Sequence, residues 1–149
     1  MVWAAFCGSG ITYMVILEGH QTGKDYIKTL QNHLLPLIER CSPTQMVFQH
    51  DNSPIHAAKI TKQWFDEHHI ECMDWPSRSP DLNPIENLWA VLARNVYAEG
   101  RQFTDRYSLI ECIKQCWQYM AEDLLHTLIN NMKQRRIKVL TNKGNFLKY

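Results

Sequence analysis

The stretch Val47-Phe48-Gln49-His50-Asp51-Asn52-Ser53-Pro54 limits the possible folds more than any other part of the chain. It joins a short apolar run, of the kind that makes a buried strand, to a helix start with Ser53 at the N-cap and Pro54 at the first helical position. Ile55, Ala58, Ile60, Trp64 and Phe65 give that helix an apolar face ending near His68, and Ile70 to Trp75 returns to strand character. Strand, helix, strand at this length is a βαβ unit. Gln45–His50 and Ile70–Trp75 are therefore expected to be parallel neighbours joined by a right-handed crossover. Asp51 then lies at the carboxyl edge of the sheet, where α/β proteins place their ligands.

A second acid stands at a second junction. Residues 76–83 are dense in turn formers and deliver the chain to a helix from Pro84 to about Tyr97, with Leu88, Trp89, Leu92 and Val96 on its buried face. Glu86 sits in its first turn. Between Asp51 and Glu86 lie residues 52 to 85, which is 34 positions. Two carboxylates brought together from a strand end and a helix start are the ligand type that Mg2+ or Mn2+ prefers. Two such ions can clamp the attacking and leaving oxygens of a phosphodiester displacement. Glu86 also has a structural reading, because with Asn83 as N-cap it falls at N3, where a capping-box glutamate satisfies backbone donors.

The rest of the chain reads as scaffold. Val2–Cys7 and Ile11–Leu17 are β-rich runs separated by Gly8-Ser9-Gly10, a hairpin signal. Tyr26, Ile27, Leu30, Leu34, Leu35, Leu37 and Ile38 mark a helix from about Gly23 to Arg40, kinked near its end by Pro36. Two more helices are expected, Asp105 to about Met120 and Glu122 to about Val139, followed by a loose tail over residues 141–149. With 149 residues, 45% hydrophobic and 21% charged, the chain is expected to be one globular domain. No run is long enough to cross a bilayer. The odd count of five cysteines, without Cys-x-x-Cys spacing, reads as reduced intracellular thiols. Net charge is only +1, but no acid follows Asp123, and Lys133, Arg135, Arg136 and Lys138 crowd the C-terminal end as candidate phosphate contacts.

The segments Phe48 to His56 and Asp74 to Trp89, with their separation, resemble the catalytic domain of mariner-type (Tc-one/mariner) transposases. So do the opening Val2-Trp3-Ala4-Ala5-Phe6 and the closing Ile129 to Arg136. The resemblance covers nearly the whole chain. It implies an α/β, ribonuclease H-like fold, a mixed sheet with helices, and a DDE/D triad of acids binding two divalent ions, Mg2+ or Mn2+. Such domains cut element ends and join them to target DNA in the nucleus. By position, Asp51 is the second acid and Glu86 the third, both catalytic and metal-ligating, and the two are expected to face each other. Asn52 and His56 stand close enough to orient Asp51 or touch a phosphate. DNA is the implied partner and a homodimer is open, with no membrane and no small-molecule substrate.

One departure from the pattern matters. The first acid belongs on a central strand before the Trp3 strand, and residues 1–149 lack it. The chain alone is therefore expected to be a fragment that neither cleaves nor joins DNA. Without that strand, either the hairpin closes up against Gln45–His50, or two half-sheets leave exposed edges and a marginal fold. The alternative is a non-catalytic module that binds nucleic acid or protein. Other features have plainer readings: Asp81 shapes its loop, His68 and His69 are a solvated helix end, and Trp64, Trp89 and Trp117 are core. Cys112 and Cys116, one helical turn apart, lack the further ligands of a zinc site.

Overall fold

A computed structural model describes residues 1–10, 12–41, 46–76, 79–120 and 122–142. The chain forms two compact units, Met1–Ser79 and Pro80–Tyr149.

In the first unit, β1 (Val2–Phe6) and β2 (Thr12–Ile16) pair antiparallel, from Val2 opposite Ile16 to Phe6 opposite Thr12. The turn closes when the Gly10 amide donates to the Cys7 carbonyl (3.1 Å). Gly10 takes φ 81°, which a side chain would strain. The long helix expected over 23–40 arrives in three pieces: α1 (Gly23–Thr29), a π turn (Leu30–Leu34) and α2 (Leu35–Cys41). Thr22 and Asp25 form a reciprocal capping box at its start. The π turn is the form the Pro36 kink takes. In a regular ladder the Pro36 ring would collide with the carbonyl four residues back, so the Leu35 amide reaches Leu30 instead.

The βαβ unit is present but compact. β3 (Val47–Phe48) and β4 (Glu71–Cys72) pair in parallel, Val47 with Glu71 and Phe48 with Cys72. Both are shorter than the sequence expectation, and Gln45 lies outside the described residues. The crossover helix α3 spans Lys59–Glu67 rather than starting at Ser53. A first turn does form at Ser53, whose carbonyl accepts from the His56 and Ala57 amides (both 2.9 Å). Ala58 then turns extended (φ −58°, ψ 140°), and the Thr61 hydroxyl donates to the Ile55 carbonyl (2.8 Å) across the break. His56 is thus a turn residue, outside α3.

The two ladders remain separate two-stranded sheets. Closure of the hairpin against β3 is therefore not the outcome, and two half-sheets is. Their shared support is a core of Ala5, Tyr26, Leu30, Leu34, Leu37, Trp64 and Phe65. Each large apolar side chain buried there contributes about 1.5 to 3 kcal/mol. α1 and α3 approach closely at Gly23, where an added methyl would meet Ile60 Cδ1 at 3.1 Å. A disulfide joins Cys7 to Cys41, which corrects the reading of all five cysteines as reduced. Counting and local spacing miss it because the hairpin end and the end of α2 are 34 residues apart in sequence.

In the second unit a 3-10 turn (Pro80–Leu82) leads into α4 (Pro84–Val96), with Pro84 in its first turn. α5 (Arg106–Gln118) is capped by Asp105, which accepts from the Ser108 amide (2.8 Å). The helix expected over 122–139 is two helices, α6 (Glu122–Asn130) and α7 (Met132–Thr141), parted at Asn131 (φ −76°, ψ −7°). Asn130 and Asn131 favour such a break because their amides compete for backbone groups. Leu88, Leu92 and Val96 of α4, Cys112 and Trp117 of α5, and Leu125 and Leu128 of α6 form the core. Trp89 packs on Trp117 with ring centroids 5.8 Å apart. Of the tail, Thr141 ends α7, and residues 143–149 lie outside the described residues. Among the described residues no helix is long and apolar enough to cross a membrane.

Candidate active site

Asp51 follows β3 by three residues, and its carboxylate is gripped at one oxygen. Oδ1 accepts the Ser53 amide (3.0 Å) and lies 2.6 Å from His56 Nδ1. An ionised carboxylate only accepts, so Nδ1 carries the proton and donates it. Burial raises the Asp51 carboxyl, but the Ser53 amide and His56 more than offset this and hold it below the usual carboxylate value. The side chain remains half exposed.

Around this pair stands an aromatic cluster that sequence reasoning missed. The His56 ring is 4.4 Å from Tyr26 and 5.0 Å from His50, centroid to centroid. His50 also meets Phe48 and the edge of Phe65, each at 5.3 Å. Burial, reinforced by His56, lowers the His50 imidazole to about 4, so it is neutral at ordinary pH. Burial likewise pushes the Tyr26 phenol up. The signal available in sequence was thin, since Tyr26 reads only as an apolar helix position 25 residues before Asp51. Asn52 is close by but turned away: its amide donates to the Trp75 carbonyl (2.8 Å), pinning the loop after β3 to the chain leaving β4.

Glu86 belongs to the second unit and is exposed in the first turn of α4. The reciprocal capping box is absent there. The Asn83 amide donates to the Pro80 carbonyl (2.9 Å), and Asn83 makes no side-chain cap bond, although its side-chain amide reaches Glu86 Oε1 at 3.5 Å. Capping therefore does not explain this glutamate as it explains Asp25. The helix end favours its negative charge. Next to it, Asn87 Oδ1 accepts from Arg135 Nη1 (2.5 Å).

That bond corrects one of the candidate phosphate contacts. Arg135 is only 7% exposed and its guanidinium is turned into the second unit, whereas Lys133, Arg136 and Lys138 are exposed on α7. Asp81 lies in the 3-10 turn before α4. His68 stacks on Trp64 (4.2 Å) and bonds its carbonyl, so it is more than a solvated helix end. The Cys112 and Cys116 sulfurs are 4.0 Å apart, with Arg101 donating to Cys112 Sγ (2.9 Å). Among the described residues no group of three or more His, Cys, Asp or Glu could by itself hold a metal.

A hairpin, a kinked helix and a crossover-linked parallel pair, followed by helices, define a ribonuclease H-like class. The chain superposes on the Mos1 transposase catalytic domain solved with raltegravir and Mn at a TM-score of 0.83, covering 99% of this chain and 76% of that one at 20% identity. Residues 1–110 match the family described as DDE superfamily endonuclease, and the chain belongs to that family. It is 34% identical over its whole length to the transposable element Tc3 transposase of Caenorhabditis elegans, covering 45% of that protein. It is also similar in fold to the Mos1 transposase paired-end complex with left transposon end, at a TM-score of 0.77 over 93% of this chain and 40% of that one, 21% identical. The chain spans about half the length of the curated relatives it matches.

Proposed function

We propose that residues 1–149 are the part of a transposase catalytic domain that supplies its second and third acids, with both compact units working as one domain. Asp51 and Glu86 are the catalytic, metal-ligating residues. The observation that carries this is the grip on Asp51: the Ser53 amide and His56 both hold Oδ1 of a carboxylate that stays half exposed, and so open to a cation. Carboxylate oxygens are hard donors and fit Mg2+ or Mn2+. The Mos1 domain solved with Mn and with Mg supports the same choice of ion. When bound, the ions would activate a water or hydroxyl and stabilise the leaving oxygen of a DNA phosphodiester.

The chain's own residues orient and bind. His56 holds the Asp51 carboxylate in place, and Asn52 fixes the loop beneath it. Exposed Lys133, Arg136 and Lys138 contact phosphates of DNA, a reading supported by the similar Mos1 complex, which holds a left transposon end. The same reading places the protein in the nucleus and leaves a homodimer as a form to test.

Manganese titration followed by thermal unfolding tests this. The midpoint of the wild-type chain should rise, and Asp51→Ala and Glu86→Ala should each lose most of the rise. Unchanged midpoints in all three would remove the metal site. A second reading, a non-catalytic DNA-binding module, is favoured by the basic exposed face of α7. It predicts salt-dependent duplex binding that is indifferent to both acids.

A further inference from the structure

We propose that Tyr26 and His50 are positioning residues: together they hold the His56 imidazole in the orientation and tautomer that grips the Asp51 carboxylate.

His56 sits in a non-helical turn, where an imidazole would ordinarily swing between rotamers and exchange its proton between two nitrogens. Here the ring is walled in. The centroids of Tyr26, His50 and His56 form a triangle with sides of 4.4, 5.0 and 6.4 Å, and His56 occupies the corner nearest both others. The His50 and His56 planes differ by 20°, a stacked pair. The other two rings are themselves anchored. Tyr26 is 2% exposed on α1, in the same core as Leu30 and Leu34. His50 is wedged between Phe48 and Phe65, with the Tyr26 hydroxyl 3.4 Å from its Nδ1. Rigid neighbours on two sides leave His56 one way to satisfy Nδ1, and Asp51 Oδ1 lies 2.6 Å away along it. A carboxylate that turned freely would pay an ordering cost on binding a cation, and the clamp removes it in advance.

The link from this clamp to metal affinity rests on the reading of Asp51 as a ligand; the clamp itself does not. Two readouts keep them apart. The first is the pair of imidazole 15N shifts of His56 above pH 8. The wild-type chain and Tyr26→Phe, which keeps the ring, should both show a proton fixed on Nδ1. Tyr26→Leu should show a mixture of tautomers. The second is Mn2+ affinity. Tyr26→Leu and His56→Ala should each weaken it by about tenfold, and the double variant by no more than His56→Ala alone, because Tyr26 acts through His56. If Tyr26→Leu does not fold, His50→Asn serves in the same cycle. Unchanged 15N shifts, or additive losses of affinity, would overturn the proposal. A wild-type chain that binds no Mn2+ would overturn the metal reading alone, and the tautomer comparison would still decide the clamp.

Discussion

The two candidate site acids, Asp51 and Glu86, are held in opposite ways. Asp51 is fixed by tertiary and loop contacts: one oxygen takes two donors, the Ser53 amide and His56, and His56 is braced by a buried tyrosine and a half-buried histidine. Glu86 is exposed in the first turn of a helix, reached at 3.5 Å by the Asn83 side-chain amide, and its neighbour Asn87 grips Arg135. The first arrangement stores its order in tertiary contacts, the second in local helix geometry. Damage to the core of the first unit should therefore disturb Asp51, while Glu86 should tolerate anything that leaves α4 intact.

The largest effect is expected at Arg135, which separates structure from DNA contact on the same helix. Arg135→Ala removes a charge-assisted bond and strands the Asn87 oxygen, costing about 2 kcal/mol in denaturant unfolding. Arg136→Ala should leave stability within about 0.5 kcal/mol and reduce the salt slope of duplex binding by about one unit. Equal effects of the two would break the distinction drawn between them.

His50 gives the first unit a pH dependence. Its value is about 4 in the folded chain against the ordinary 6.5 when unfolded, so between those values the unfolded chain binds the extra proton. Stability is fully present above about pH 6.5 and declines as pH falls toward 4, by about 1 to 2 kcal/mol after allowing for solvent screening of a half-buried ring. His50→Gln should flatten that slope, as measured by urea unfolding at several pH values. An unchanged slope would show that the ring is open to protonation.

A smaller difference is expected at the two helix starts. Thr22→Ala breaks the capping box of α1 and should cost about 1 kcal/mol. Asn83→Ala, at a cap whose side chain makes no bond to the helix backbone, should cost about 0.5 kcal/mol or less. Equal costs would return Glu86 to the capping role that α4 denies it here.

Much of this was legible in the sequence wherever the cause was local. Pro84 opening a helix, Asp51 ending an apolar run, Gly10 turning a hairpin and the parallel pairing of β3 with β4 follow from residue chemistry over short spans. The features that escaped depend on distant partners. Arg135 is buried because Asn87 awaits it 48 residues earlier. Cys7 meets Cys41 only once α2 has folded over. The clamp on His56 escaped for the same reason: Tyr26 reads as an apolar helix position and His50 as the end of a strand until the fold sets them against one imidazole.

The central claim is that Asp51 and Glu86 serve the same divalent ions, and paramagnetic broadening tests it most directly. Substoichiometric Mn2+ should broaden the amide resonances of Asn52 and Ser53 together with those of Ile85 and Asn87, and Asp51→Ala or Glu86→Ala should abolish both sets at once. Broadening confined to one acid's neighbours, or surviving either substitution in full, would contradict the account.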